Sequence, residues 1–551
     1  MKILFALIFV LLFAGSLFAD SFVFSPSVPG ALYYPKDKRE ANVSVNVADG
    51  DKAVVKLTFA DPYGNVLDSY LKEITLFKTE NFTKTVELPF FNGFVKVLCE
   101  VKIYSEDKLI NSFDTDFRYA VIPANYRDYK DVDSPFGVNC HFNQGWDPSI
   151  GKIVKRVGIE YVRDGEARPE DLSAPVCIEN NLCYMPCFTH IADPSWQYIK
   201  KEIENGKTAD DKWNFSGYLD DYSLFAKKYG WYVDYYDIAN EPSNVPYWTA
   251  LGGSWYGGEW TKVFRQWGEQ VAKNIKKNDS NAQIVWEDSG PQLWLRQLVK
   301  QGLNPKYIDA ISPHPYNLHK NLNLPEDTET IEDYALTALF LKENKYKNLP
   351  FIIGELGVSS YEKSETYDSV DGFYSSTTEL EQAQQVVRHL TTAFARGVKK
   401  FFYYDFKNDL FGPERDPYNP ENNFGLMTEF LTPKPSVVAY ANFIDRTRDC
   451  EWLGRYTTGA GCFAYAVKNP KTNTGTIIIW SKRGEKTTQL FHCDNCPDTL
   501  QTYDIFGNKK QIITKEPNNI FNIKVDETPQ YIPNYPLEDF EWTVYKHDYL
   551  K

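Results

Sequence analysis

The sequence predicts an α/β chain in which a (β/α)8 TIM barrel is flanked by an N-terminal and a C-terminal antiparallel β-sandwich. Three observations carry this. Between residues 134 and 447, short apolar runs alternate with amphipathic helical segments eight times. Those runs are apolar on both faces, as strands of a buried parallel sheet must be. Before residue 122 and after residue 448 the chain changes to short strands of alternating polarity separated by turn residues.

Residues 1–19 read as a secretory signal peptide: Lys2, an apolar run from Ile3 to Ala14, then a cleavage site after Ser16 or Ala19. The run is shorter than the roughly 20 apolar residues of a membrane span. The mature chain is therefore expected to be secreted or at the cell surface, without a span, and a monomer. Residues 20–122 hold runs such as Ala53–Phe59 and Val95–Val101, divided by turns at Asp49-Gly50-Asp51 and Pro62-Tyr63-Gly64-Asn65, which predicts an Ig-like sandwich. The polar segment 123–133 reads as a linker.

The strands expected in the barrel are Phe136–His141, Ile159–Arg163, Cys183–His190, the run from Trp231 to Glu241, Gln283–Glu287, Ile308–His314, Pro350–Glu355 and Lys400–Asp405. Helices are expected over Ile150–Val157, Tyr218–Tyr229, Trp260–Lys277, Leu293–Gln301, Ile331–Glu343, Glu379–Arg396 and Ser436–Ile444. Six further strands between Cys462 and Tyr545 predict the second sandwich, residues 448–551.

A net charge of −14, from 60 basic and 74 acidic residues, argues against nucleic acid or an anionic membrane as a partner. Nine cysteines in an oxidising compartment allow at most four disulfides. The spacings Cys493–Cys496 and Cys450–Cys462 favour disulfides in the last domain over a zinc site.

In such a barrel the chemistry lies at the carboxyl ends of the strands. The fourth strand ends in Asp237-Ile238-Ala239-Asn240-Glu241, and Pro242 has no N–H to continue the ladder. Alternation puts Asp237, Ala239 and Glu241 on the inward face and Ile238 and Asn240 on the other. On the seventh strand Phe351, Ile353 and Glu355 share a face, which brings a second carboxylate to the mouth. Two glutamates across one mouth suit glycosidic cleavage by double displacement.

With Asn240-Glu241-Pro242 closing strand four and Gly354-Glu355 closing strand seven, the chain resembles the clan A retaining glycoside hydrolases. The segments Tyr503-Asp504-Ile505-Phe506-Gly507-Asn508 and Thr528-Pro529-Gln530-Tyr531-Ile532 are similar to the sandwich that follows the barrel in family 39 and its relatives. The resemblance covers the barrel and last domain, not residues 20–133. It implies a carbohydrate substrate without metal or cofactor, Glu241 as acid/base and Glu355 as nucleophile. It places Asn240 on the sugar 2-hydroxyl, Arg163 beside the nucleophile and Tyr316, which shares a face with His314, in hydrogen bond to it. His141, His190, His314, Trp286 and Tyr404 complete the expected substrate-binding set, with Glu287 in support. Many clan members carry a Trp on strand eight where this chain has Tyr403-Tyr404-Asp405.

Plainer readings stand beside these. Arg163 has a plainer reading as an ion-pair residue, and His141, His190 and Tyr404 serve equally as framework hydrogen-bonding groups. Trp248, Trp255 and Tyr256, on the Gly-rich loop after strand four, are sugar platforms or loop packing. A glycan-binding or cell-surface protein without turnover is the alternative function, which a hydrolysis screen separates.

Overall fold

The computed structural model describes residues 20–47, 49–67, 71–188, 194–244, 248, 250–254, 256–288, 293–316, 324–326, 339–346, 349–363, 376–409, 416–491, 493–540 and 544–545. The expected signal segment 1–19, His190, Trp255 and positions 331–338 of the expected sixth helix lie outside them. The chain forms two compact units, one running to Ile122 and including Leu431–Lys434, the other Pro123–Phe430 and Pro435–Lys551.

In the first unit, Ser21–Pro26, Glu40–Asn46 and Thr83–Glu87 form a three-stranded antiparallel sheet. Leu32–Tyr33, Lys108–Val121, Gly93–Ser105, Lys52–Ala60 and Lys72–Phe77 form a five-stranded one. Alternation puts one face of each sheet in a common core: Val43 and Val45 from the first meet Val55, Leu57, Val97 and Val101 from the second.

The described residues of the second unit hold eight parallel strands: β1 (Phe136–Asn139), β2 (Tyr161–Asp164), β3 (Cys183–Pro186), β4 (Tyr235–Asp237), β5 (Gln283–Asp288), β6 (Ala310–Pro313), β7 (Ile352–Leu356) and β8 (Lys400–Tyr403). They pair in the orders β3-β2-β1-β8-β7 and β4-β5-β6, all parallel. Single parallel bridges, Cys187 to Asp237 and Ile311 to Phe351, join the edges of the two sheets. Tyr161, Met185, Tyr235, Val285, Ala310, Ile352 and Phe402, one from each of β2 to β8, share one core. β1 contributes Gly137 at this level, where a Cβ would lie 2.5 Å from the Phe402 ring, so the aromatic fills the place of a side chain.

Helices Ile150–Val157, Asp220–Tyr229, Trp260–Asn278, Leu293–Lys300, Glu379–Ala395 and Pro435–Thr447 follow strands as the periodicity predicts. Glu379–Ala395 starts on a capping box in which Thr378 and Glu381 satisfy each other's backbone N–H. Ser173–Glu179, between β2 and β3, escapes the sequence reading because seven residues with Pro175 inside show no clear period. The segment 123–133 is not a free tether. Buried Lys400 donates to the Val132 and Ser134 carbonyls at 2.9 Å each, and Lys155 to Tyr129 O.

The remaining strands of this unit are antiparallel. Seven form one sheet from Lys509–Thr514 to Val544–Tyr545, while Lys486–Leu490 and Phe521–Val525 pair separately and share its core through Leu490, Phe521 and Ile523. The expected disulfides are not formed, and all nine cysteines are free. Cys493 Sγ instead lies 2.8 Å from Tyr535 Oη, and Cys496 Sγ 3.5 Å from Asp539 Oδ2. Among the described residues no helix is long and apolar enough to cross a membrane.

Candidate active site

Two residues beyond the core level, the inward faces of the parallel strands become polar. Arg163, two after Tyr161 on β2, is buried and contacts groups on both sides of the site. Its Nε donates to Asp237 Oδ2 at 2.9 Å and Nη2 to Asn240 Oδ1 at 2.8 Å. Its Nη1 donates to Asn139 Oδ1 at 3.0 Å and reaches Glu355 Oε2 at 3.4 Å.

Glu355 reaches the site by a route the alternation does not give. Ile352 belongs to the inner core and Gly354 follows it inward, so Phe351 and Ile353 face away. A register shift between Ile353 and Leu356, the signature of a β-bulge, turns Glu355 into the site. Its Oε1 accepts from Tyr316 Oη at 3.1 Å. Glycine is required at 354, because a Cβ there would stand 2.1 Å from Ser312 Oγ and 3.5 Å from Arg163 Nε.

Glu241 departs further from expectation. β4 ends at Asp237, and Ile238 N to Val285 O is the last ladder bond. Past it the alternation is lost: Asn240, expected outward, turns to Arg163, and Glu241 has a left-handed backbone with φ of 43°. Such a conformation costs a side-chain-bearing residue about 1–3 kcal/mol and persists only where contacts hold it. Here Glu287 Oε2 accepts from the Glu241 N–H at 2.5 Å, Asn244 Nδ2 donates to Glu241 Oε2, and His314 Nδ1 meets Glu241 Oε1 at 3.0 Å.

The same His314 nitrogen lies 3.9 Å from Glu355 Oε2. The two contacts cap the separation of those two oxygens at about 7 Å, which admits the roughly 5–5.5 Å of a retaining pair. The Glu241 side chain keeps 24% exposure and that of Glu355 15%, so both remain within reach of a ligand.

Burial raises the pKa of both glutamates. Against that, Arg163 and the Tyr316 hydroxyl pull Glu355 back down, while Arg163 and Asn244 do so for Glu241. Among the described residues, Glu355 alone of the two has a cation in hydrogen-bonding contact. His314 is pushed down to about 4 by burial and is therefore neutral at ordinary pH. Burial, with Glu241 and Asp237 close by, holds Glu287 well above the carboxylate range.

His141 lies 3.6 Å from Asp405 and 3.8 Å from Asp409, flanked by the Trp146 and Tyr404 rings. Tyr404 packs on Phe424, which also meets Tyr316. His141, Asp405 and Asp409 could hold a cation, as could Glu241, Glu287 and His314, each set of ligand atoms lying within 4.8 Å. In the second set, Glu241 and His314 already engage each other.

Trp286 does not line the site. Val285 and Glu287 take the inward positions, so Trp286 faces the helix layer, where its ring meets Phe264 and its Nε1 donates to Tyr307 O. Trp248 is likewise packing, buried between Trp196, Phe264 and Trp267, and Tyr256 is exposed. Asn244, Trp146 and Asp409 were not legible. They sit in loops or beyond strand ends, where no period applies; Asn244, three residues after Glu241, carried the only local signal.

No family model matches the chain, and no curated protein matches it in sequence. Solved structures do match in three dimensions. The chain shares its fold with a family 39 glycoside hydrolase. That protein, from the gut symbiont Bacteroides cellulosilyticus WH2, superposes with a TM-score of 0.66 at 17% identity, over 93% of this chain and 99% of its own. A Bacteroides uniformis β-glucuronidase aligns at TM-score 0.40 and 12% identity, over 92% of this chain and 57% of its own. The Ruminococcus gnavus β-glucuronidase gives 0.37 and 12%, over 77% and 67%.

Proposed function

We propose that the chain is a retaining glycoside hydrolase that cleaves a β-linked poly- or oligosaccharide, with Glu355 as nucleophile and Glu241 as acid/base. The observation that carries the reading is one imidazole nitrogen, His314 Nδ1, facing both carboxylates within about 7 Å of each other. Arg163 and Tyr316 favour the ionised form of Glu355. Glu241, half-buried and without a cation in contact among the described residues, favours the protonated form.

In the first step a Glu355 oxygen bonds to the anomeric carbon as the bond to the leaving oxygen breaks, and Glu241 gives that oxygen its proton. In the second, Glu241 takes a proton from water as the water oxygen displaces Glu355, which regenerates both groups. In this reading Asn240, which Arg163 holds, contacts the neighbouring sugar hydroxyl, and His141 and Tyr404 contribute further sugar contacts.

The fold supports this reading in its finer form. The eight parallel strands, the two bridges and the shared core fit a closed (β/α)8 barrel, and the paired antiparallel sheets fit flanking sandwiches. The order of charge, apolar run and small residues in 2–19 supports export.

Glu355→Ala tests the assignment. It should abolish turnover of aryl β-glycosides, and azide should restore part of it with a glycosyl azide of inverted configuration, read by NMR. Absence of that product would remove Glu355 from the nucleophile role.

A further inference from the structure

We propose that Glu287 is a positioning residue for Glu241: its Oε2 holds the Glu241 main chain in the left-handed conformation from which the Glu241 carboxyl meets His314. The inference rests on the reading of Glu241 as the proton-transferring group.

β4 supplies no ladder partner for the Glu241 N–H, because its pairing with β5 ends at Ile238 N. The N–H points into the site, where an unsatisfied donor is costly. Glu287 takes the place of the missing strand. It lies two residues beyond Val285 on the inward face of β5, opposite Ser312 of β6, and so stands beside the peptide that follows β4. Its Oε2 accepts from Glu241 N at 2.5 Å.

The rest of its surroundings suit this one task. Glu287 is fully buried, unlike Glu241 and Glu355, so it does not present its carboxyl to a substrate. Its Oε1 has no hydrogen-bond partner among the described residues and lies 3.7 Å from His314 Nδ1, the atom that Glu241 engages. Glu287 therefore touches both the backbone of Glu241 and the ring its side chain leans on.

Crystal structures of the full chain carrying Glu287→Gln and Glu287→Leu test the positioning directly. The amide oxygen of Gln can still accept from Glu241 N, so φ at 241 should stay positive. With Leu it should turn negative and the contact between Glu241 and His314 should open. Glu287→Ala makes the same comparison if Leu does not fold. An unmoved Glu241 in both Leu and Ala variants would overturn the proposal.

The kinetic test uses 2,4-dinitrophenyl and methyl β-glycosides of one sugar. A misplaced acid should cost about 10²-fold in kcat on the methyl glycoside, and only a few-fold on the dinitrophenyl one, whose leaving group needs no proton. Glu287→Gln should recover at least tenfold of the loss. Equal losses on both substrates, or no recovery with Gln, would sink the positioning role. Glu241→Gln run alongside separates the two ideas: if it shows no leaving-group dependence, the acid assignment of Glu241 falls, while the crystal structures still decide what Glu287 holds.

Discussion

The ends of β4 and β7 deliver their carboxylates to one imidazole nitrogen by opposite means. Glu355 is still part of its strand, and a one-residue bulge aims it at Arg163 and Tyr316. Glu241 stands four residues beyond its strand, in a backbone conformation that side chains hold in place. The difference fits the proposed division of labour. A nucleophile must return to one point in space and gains from rigid regular structure. An acid/base must change protonation state in each half of the cycle, and side-chain contacts set its pKa and direction independently of the sheet.

The largest effect that tests this contrast is on Glu241 itself. Glu241→Gln keeps the shape and the Asn244 contact but removes the proton, so turnover of unactivated β-glycosides should fall about 10²–10⁴-fold. Aryl glycosides with good leaving groups should lose far less. Equal losses on both classes would mean that β4 and β7 do not divide the chemistry in this way.

Arg163 joins the two regions, since one guanidinium bonds Asp237 and Asn240 on one side and Asn139 and Glu355 on the other. Arg163→Met leaves buried Asp237 without its cation and should destabilise the fold by about 3–5 kcal/mol at neutral pH. Urea unfolding of the variant measures it. Unchanged stability would show that the two strand ends are held independently.

The same contrast explains what the sequence made legible. Repeating units of strand and helix reveal themselves by period, so the eight parallel strands and most helices could be read, and with them the level at which the site lies. Arg163, His314 and Tyr316 follow from counting along strands. Alternation assigned the wrong phase to β7, placing Ile353 inward where Ile352 stands, and only the bulge brings Glu355 to the expected place. It failed on Asn240 because the strand had already ended. Trp286 was misplaced by its position at a strand end, although its inward neighbour Glu287 shows which face it takes. Asn244 and Asp409 depend on loop conformation, which no period encodes.

The smallest effects are the most discriminating, because they change the width of the pH profile in opposite senses. The Tyr316 hydroxyl lowers the pKa of Glu355 and the Asn244 amide lowers that of Glu241. Each substitution removes one hydrogen bond and should cost about two- to tenfold at the optimum. Glu355 must be ionised to attack, so activity rises with pH through its pKa; Tyr316→Phe raises that pKa and moves the acid limb of kcat/KM to higher pH. Glu241 must be protonated to donate, so activity falls as pH rises through its pKa; Asn244→Ala raises that pKa and moves the basic limb to higher pH. The first variant should narrow the profile from the acid side, and the second should extend it on the alkaline side. If both variants move the same limb, the pH profile reports a single coupled pair rather than a nucleophile on β7 and an acid beyond β4.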